Sequence, residues 1–138
     1  MNSSNQIKTV LKYIESINRA DLDKIAQMMD DDYVFVDAGN LRYEGKDIMI
    51  RGWKGYFMLF PDYSIEVQTI TGNDSDIGLF GYSSGTYKGL ETIDDRNYFR
   101  IPTSWMVKLE GDKVRHWQVY NESKMVEDII NQNKLHVL

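Results

Sequence analysis

The sequence contains no cysteine, so disulfide bonds and thiolate metal sites are both excluded. Histidine is nearly absent as well, with His116 and His136 the two present. Positive charge is short: 16 Lys and Arg against 21 Asp and Glu leave a formal net charge of −5. That balance favours solubility and argues against a nucleic-acid partner, which wants a basic stripe. No apolar run reaches membrane-spanning length, and Met1–Gln6 is polar where a secretory signal would be basic and then apolar. A cytoplasmic protein with no membrane partner is the expectation. What the chain does have is bulk, with 12% aromatic residues and seven methionines, an inventory that suits an ordinary core or an irregular pocket. At 138 residues it is expected to form one domain, 1–138, and to bury roughly two-thirds of its unfolded surface.

The segment Tyr33-Val34-Phe35-Val36-Asp37-Ala38-Gly39 alternates as a β-strand does. Successive strand side chains point to opposite faces, so Tyr33, Phe35 and Asp37 share one side and Val34 and Val36 the other. An acid is thereby aligned with two aromatics. A strand-end Asp before Gly has two readings, a turn former that bonds nearby backbone N–H groups or a functional carboxylate at a pocket mouth.

Before that strand, Ile7, Val10, Leu11, Ile14 and Ile17 recur at helical spacing, with Tyr13 beside the stripe. Asp21 is a suitable N-cap for a second short helix carrying Leu22, Ile25, Ala26 and Met29, which Asp30-Asp31-Asp32 should end. Those three acids read as solvated residues, since consecutive carboxylates do not converge on one metal without unusual backbone. After a loop over 40–45, a third helix runs through Phe60, with Met49, Trp53, Tyr56, Phe57 and Phe60 on one face. Gly52 and Gly55 interrupt it at about 1 kcal/mol each relative to Ala unless something packs closely there.

The period then changes. Tyr63, Ile65, Val67 and Thr69 alternate with polar neighbours, and strands are expected over 77–87, 98–109 and 114–121, with a turn over 71–76 and Glu110-Gly111-Asp112 as a tight hairpin. A polar loop over 88–97 and a short terminal helix over 122–133, with Ile129 and Ile130 apolar, complete the pattern. Pro102 points to an edge, bulge or bend, and Gly78, Gly81 and Gly85 to strong coiling. Helices first and antiparallel strands second predict an α+β domain: three helices packed on one face of a curved, mainly antiparallel sheet, enclosing one cone-shaped cavity. Trp53, Tyr56, Phe57, Trp105 and Trp117 read first as core and second as pocket wall. Strand parity puts Trp117, Val119 and Asn121 on one face and turns His116 away, while His136 falls in the tail; both histidines read as surface residues.

The stretch from Val10 through Asp23, followed by Met28-Met29-Asp30-Asp31-Asp32, resembles the opening of the ketosteroid isomerase branch of the nuclear-transport-factor-2-like (NTF2-like) superfamily. Phe60-Pro61-Asp62, Gly85-Thr86-Tyr87-Lys88-Gly89 and His116-Trp117-Gln118-Val119-Tyr120-Asn121 resemble its SnoaL-like polyketide cyclase branch. The resemblance spans nearly the whole chain and implies the fold more firmly than the reaction, because this fold hosts many activities.

On the isomerase side the resemblance implies Tyr13 as oxyanion donor and Asp37 as general base, so that a proton is lifted next to a carbonyl and returned elsewhere. The family's second acid has no acidic counterpart here, its place falling on Ser104 or Trp105. On the cyclase side the acid/base aspartate at the end of the last long strand is replaced by Asn121, an amide. The resemblance therefore implies a pocket for a small apolar molecule, a ketone or polyketide. Asp37 and Tyr13 are its catalytic candidates, and Tyr33, Phe35, Trp53, Phe57, Ser104, Trp105, Trp117 and Asn121 its wall, with no cofactor or metal. It also implies a homodimer formed through the outer face of the sheet. Two functions stay open, an isomerase- or cyclase-like enzyme and a passive binding or assembly module.

Overall fold

A computed structural model describes residues 3–73, 76–88 and 93–137. In chain order the elements are α1 (Ser3–Asn18), α2 (Leu22–Met28), β1 (Met29–Val36), β2 (Arg42–Glu44), α3 (Lys46–Leu59), β3 (Ser64–Asn73), β4 (Asp76–Lys88), β5 (Ile93–Glu110), β6 (Lys113–Asn121) and α4 (Lys124–Val137). The strands form one six-stranded sheet in the order β2-β1-β6-β5-β4-β3. β3 to β6 make an antiparallel meander, and β1 joins β6 in parallel, which places the first strand between β6 and the edge strand β2. The helices and the mostly antiparallel sheet make the α+β architecture that the sequence predicts. Among the described residues no helix is long and apolar enough to cross a membrane.

Several boundaries differ from the sequence reading. The three acids at 30–32 do not end α2; they lie inside β1, which takes over directly at Met29. The expected loop over 40–45 contains β2, paired antiparallel with β1 from Val34↔Glu44 to Val36↔Arg42. Strand pairing over only three residues leaves almost no periodicity to detect. Much of the loop expected over 88–97 belongs to β4 and β5, while 89–92, like 74 and 75 of the expected 71–76 turn, lie outside the described residues. The side chain of His136 lies outside them too. Pro102 sits in the long strand β5 one residue beyond Thr103, which pairs with Asn121 at the end of β6. β5 is thus locally an edge at the residue that has no N–H to donate.

The core lies between α1, α3 and the inner face of the sheet. On α1 the buried stripe is Val10, Tyr13, Ile14 and Ile17, and Leu11 faces outward at 43% exposure. Tyr13, expected beside the stripe, is at its centre and fully buried. Its hydroxyl shares a 2.7 Å hydrogen bond with that of Tyr33, and its ring meets Trp117 edge-on at 5.2 Å. Burial pushes both phenols above their ordinary value of 10.0, because a phenolate has no water there. The Asn18 side chain ties the end of α1 to β3, accepting from Ile65 N at 2.8 Å and donating to Ile65 O at 3.0 Å. Asp62, after α3, accepts from Thr86 N and Thr86 Oγ1, both at 2.7 Å, and so fixes α3 to β4.

β4 passes tightly against β3 at Gly81. A Cβ at Gly81 would fall on the Glu66 carbonyl, next to the register shift between Val67 and Thr69 in β3. Gly55, by contrast, has nothing within 4 Å of a Cβ added in α3.

Two outcomes follow for stability. Gly55→Ala should raise the unfolding free energy by roughly 0.5–1 kcal/mol through helix propensity, whereas Gly81→Ala should lower it by about 2 kcal/mol or more, measured by urea denaturation. Because the folded-state phenols of Tyr13 and Tyr33 titrate above the unfolded ones, the native state holds more protons in alkali. Stability should therefore fall as pH rises past about 10, and the Tyr13→Phe/Tyr33→Phe double variant should show a shallower fall.

Candidate functional site

A cavity of about 690 Å³ opens at the wide end of the cone. Its wall is built by strand parity. On β6, Trp117, Val119 and the following Asn121 all line it; on β5, Phe99 and Ile101 do; and on the β1 side, Phe35 and Asp37. α3 contributes Met49, Gly52, Trp53 and Tyr56 from one face, as residues three and four apart on a helix must. Trp53 stacks on Phe57 at 5.4 Å, and Tyr56 meets Tyr63 edge-on at 5.0 Å, so the aromatic wall is internally packed.

Asp37 answers to both of its sequence readings. Its Oδ1 accepts from Gly39 N and Leu41 N, each at 2.9 Å, and its backbone N–H donates to Leu41 O at 3.0 Å, closing the turn from β1 into β2. The same half-buried side chain lines the mouth of the cavity. Among the described residues nothing donates a hydrogen bond to its Oδ2.

Of the predicted site residues, Phe35, Asp37, Trp53, Trp117 and Asn121 come together around the cavity. Tyr13, Tyr33, Phe57, Ser104 and Trp105 do not line it. Tyr33 shares the face of Phe35 and Asp37 but lies deeper, where the cone narrows onto α1, and is fully buried against Tyr13. Trp105 is likewise deep, 6.3 Å from Trp117. Ser104 points to the opposite face of the sheet, beside Phe80 and Tyr120, because it is one residue out of phase with Trp105. Phe57 sits on the far side of Trp53 and is half-buried.

Sequence reasoning missed several wall residues. Phe99 and Ile101 share the parity of Trp105 along β5, and Tyr63 continues the inward phase of Ile65, so alternation alone could have found all three. α4, expected as a short terminal helix with Ile129 and Ile130 apolar, closes one side of the cavity with Val126, Glu127 and Ile130, while Ile129 packs with Phe60, Phe99 and Ile101. A reciprocal amide pair holds it there: Asn133 Nδ2 donates to Asn97 Oδ1 at 3.2 Å and Asn97 Nδ2 to Asn133 Oδ1 at 3.4 Å.

The polar groups inside are few. The Tyr56 phenol is pushed up to about 12 by burial, and Tyr63 is raised further by burial and by Tyr56, against the hydroxyl of Ser83. Among the described residues, two buried atoms of the cavity wall have no hydrogen-bond partner, Asn121 Oδ1 and the indole nitrogen of Trp53. The latter lies near enough to the Tyr13 and Tyr33 hydroxyls to ease their ionisation slightly, without hydrogen-bond geometry to either. Among the described residues no group of three or more His, Asp or Glu side chains is placed to hold a metal ion.

Solved structures of the same shape are numerous. A candidate SnoaL-like polyketide cyclase from Jannaschia sp. CCS1 superposes with a TM-score of 0.79 at 17% identity, over 92% of this chain and 92% of that one. A Catenulispora acidiphila protein with a ketosteroid isomerase-like fold, in complex with trimethylamine, gives 0.73 at 13% identity, over 86% and 88%. An epoxide hydrolase from M. tuberculosis gives 0.76 at 10% identity, over 97% and 95%. At these identities the likeness shows a common fold and no more. No curated protein matches the chain in sequence. The family model of the SnoaL-like domain matches residues 10–117, from the first helix to the last strand, and the chain belongs to the SnoaL-like domain family.

Proposed function

We propose that this protein binds a small, largely apolar organic molecule in its cavity and that Asp37 exchanges a proton with it next to a carbonyl, as an isomerase or cyclase would. The observation that carries the reading is the setting of Asp37. Its carboxylate stands at the mouth of an aromatic cavity, held in orientation by two backbone amides through Oδ1, with Oδ2 left to face a ligand. Proton abstraction from carbon needs a base fixed within hydrogen-bond reach, and the enolate that forms needs a donor in a dry site. The phenols of Tyr56 and Tyr63 and the hydroxyl of Ser83 belong to the wall and suit that second role. Tyr13 has its hydroxyl on Tyr33 and does not line the cavity, so it is not placed to donate to a ligand there.

A passive binding module is the second reading. It is favoured by Asn121, the amide that stands where the cyclase resemblance implies an acid, and by the engagement of Tyr13 with Tyr33. The fold's use as a dimer is part of the proposal: Phe80, Tyr98 and Tyr120 are 50%, 47% and 48% exposed, and the parity of β4, β5 and β6 puts them on the outer face of the sheet. Apolar exposure of that kind suits a two-fold interface.

The proton-transfer reading is checked by following α-deuterium incorporation into bound cyclic ketones in D2O by NMR. Asp37→Asn keeps an acceptor for the two amides, so it should preserve the circular dichroism spectrum and slow exchange by about 100-fold or more. Equal exchange in both proteins removes Asp37 from the chemistry, and saturable binding with no exchange selects the passive reading. Light scattering at micromolar concentration should give twice the chain mass; a monomer removes the dimer.

A further inference from the structure

The charge of the cavity wall narrows the ligand class beyond a small apolar molecule. The wall carries two ionisable acids, Asp37 and Glu127, and no described Lys, Arg or His contributes to it. The acids come from separate elements, the turn after β1 and the first turn of α4, so neither is an incidental neighbour of the other in sequence. The basic residues nearest to them in sequence are engaged elsewhere: Arg42 with Glu44 at 2.7 Å and Lys124 with Asp128 at 2.9 Å. Nothing described in the wall itself neutralises the pair.

The rest of the lining points the same way. Seven aromatic rings face the cavity, among them Trp53, Tyr56, Tyr63 and Trp117, and an aromatic face presents negative potential. Asn121 adds a buried carbonyl oxygen with no donor to satisfy it. An anion would meet two carboxylates, π faces and a lone pair. A neutral hydrocarbon would leave the Asn121 oxygen unpaired, at a desolvation cost. A cation with an apolar body is stabilised by all three, an amine by donating to the Asn121 oxygen and a quaternary ammonium by charge–dipole attraction to it.

We propose that the ligand carries an amine or quaternary ammonium group on its small, largely apolar carbonyl-bearing frame, with its charge toward Asp37 and Glu127 and its alkyl groups against the aromatic wall. This rests on the reading of the cavity as the ligand site. The acids act by electrostatic attraction, the rings by cation–π contact, and the aperture between α3, α4 and the β1–β2 turn admits the headgroup.

The test compares three molecules of one shape and different charge: choline, its uncharged carbon isostere 3,3-dimethylbutan-1-ol, and the anion 3,3-dimethylbutanoate. Binding is read by calorimetry and by the fluorescence of Trp53 and Trp117, which line the cavity. Choline should bind at least about tenfold more tightly than the alcohol, and the anion should bind least. The Asp37→Asn/Glu127→Gln double variant, which keeps the hydrogen-bonding shape of both residues, should bring choline and the alcohol within about twofold of each other. If the alcohol binds as tightly as choline to the unaltered protein, the cation proposal falls while the cavity remains a ligand site. A choline preference that survives the double substitution also overturns it. If none of the three binds, the cation proposal falls, and the ligand-site reading is decided separately by the binding of the cyclic ketones.

Discussion

The cavity lies on one face of a sheet whose strands are held in register partly by a close approach of backbone to backbone. Where β4 passes β3, the Glu66 carbonyl occupies the space that any side chain at position 81 would need. The register shift between Val67 and Thr69 lies directly beside it. A bulge bends its strand and increases local twist, and a residue without Cβ lets the partner strand follow. A flat sheet of these strands would press its inner face onto the helices and leave no cone. Aromatic bulk along β5 and β6 then determines how far the helices can descend, with Trp105, Trp117 and Tyr13 filling the narrow end.

Depth within the cone separates structural aromatics from those that meet a ligand. Tyr33, Phe35 and Asp37 share one face of the first strand, yet they pass from the sealed core to the open mouth over four residues. Trp105, Ile101 and Phe99 make the same passage along β5 in the opposite chain direction. The Tyr13–Tyr33 hydroxyl pair sits at the closed end, where one phenol donates to the other and neither is offered to solvent. Its first consequence is therefore for packing: two large side chains are buried without an orphaned hydroxyl.

The C-terminal helix changes the character of the mouth. Without α4 the cone would be open on the side of Phe99 and Ile101, and the second apolar cluster, which includes Phe60 and Ile129, would lose its cover. The Asn97–Asn133 amide pair gives that helix a specific seat, because an amide paired through both its oxygen and its nitrogen tolerates little sliding. Glu127 thereby comes to stand at the cavity with Asp37, an acidic character that neither residue's local sequence signals.

Local periodicity determined much of this protein. The 3.6-residue stripes of α1 and α3, the alternation of β1 and β6, the capping residue Asp21 and the turn-forming Asp37-Ala38-Gly39 were all legible, because each depends on near neighbours in the chain. From the same parity came the pocket-facing set Phe35, Asp37, Trp117 and Asn121. Alternation fixes which face a side chain takes, but it is silent about how far down the cone that face lies. Only the tertiary structure decided that Tyr13 and Tyr33 bond each other behind the wall and that Ser104 belongs to the outer surface. It alone also made the three-residue β2 a strand and α4 a wall. Those outcomes are set by contacts between residues far apart in sequence, and no local pattern carries them.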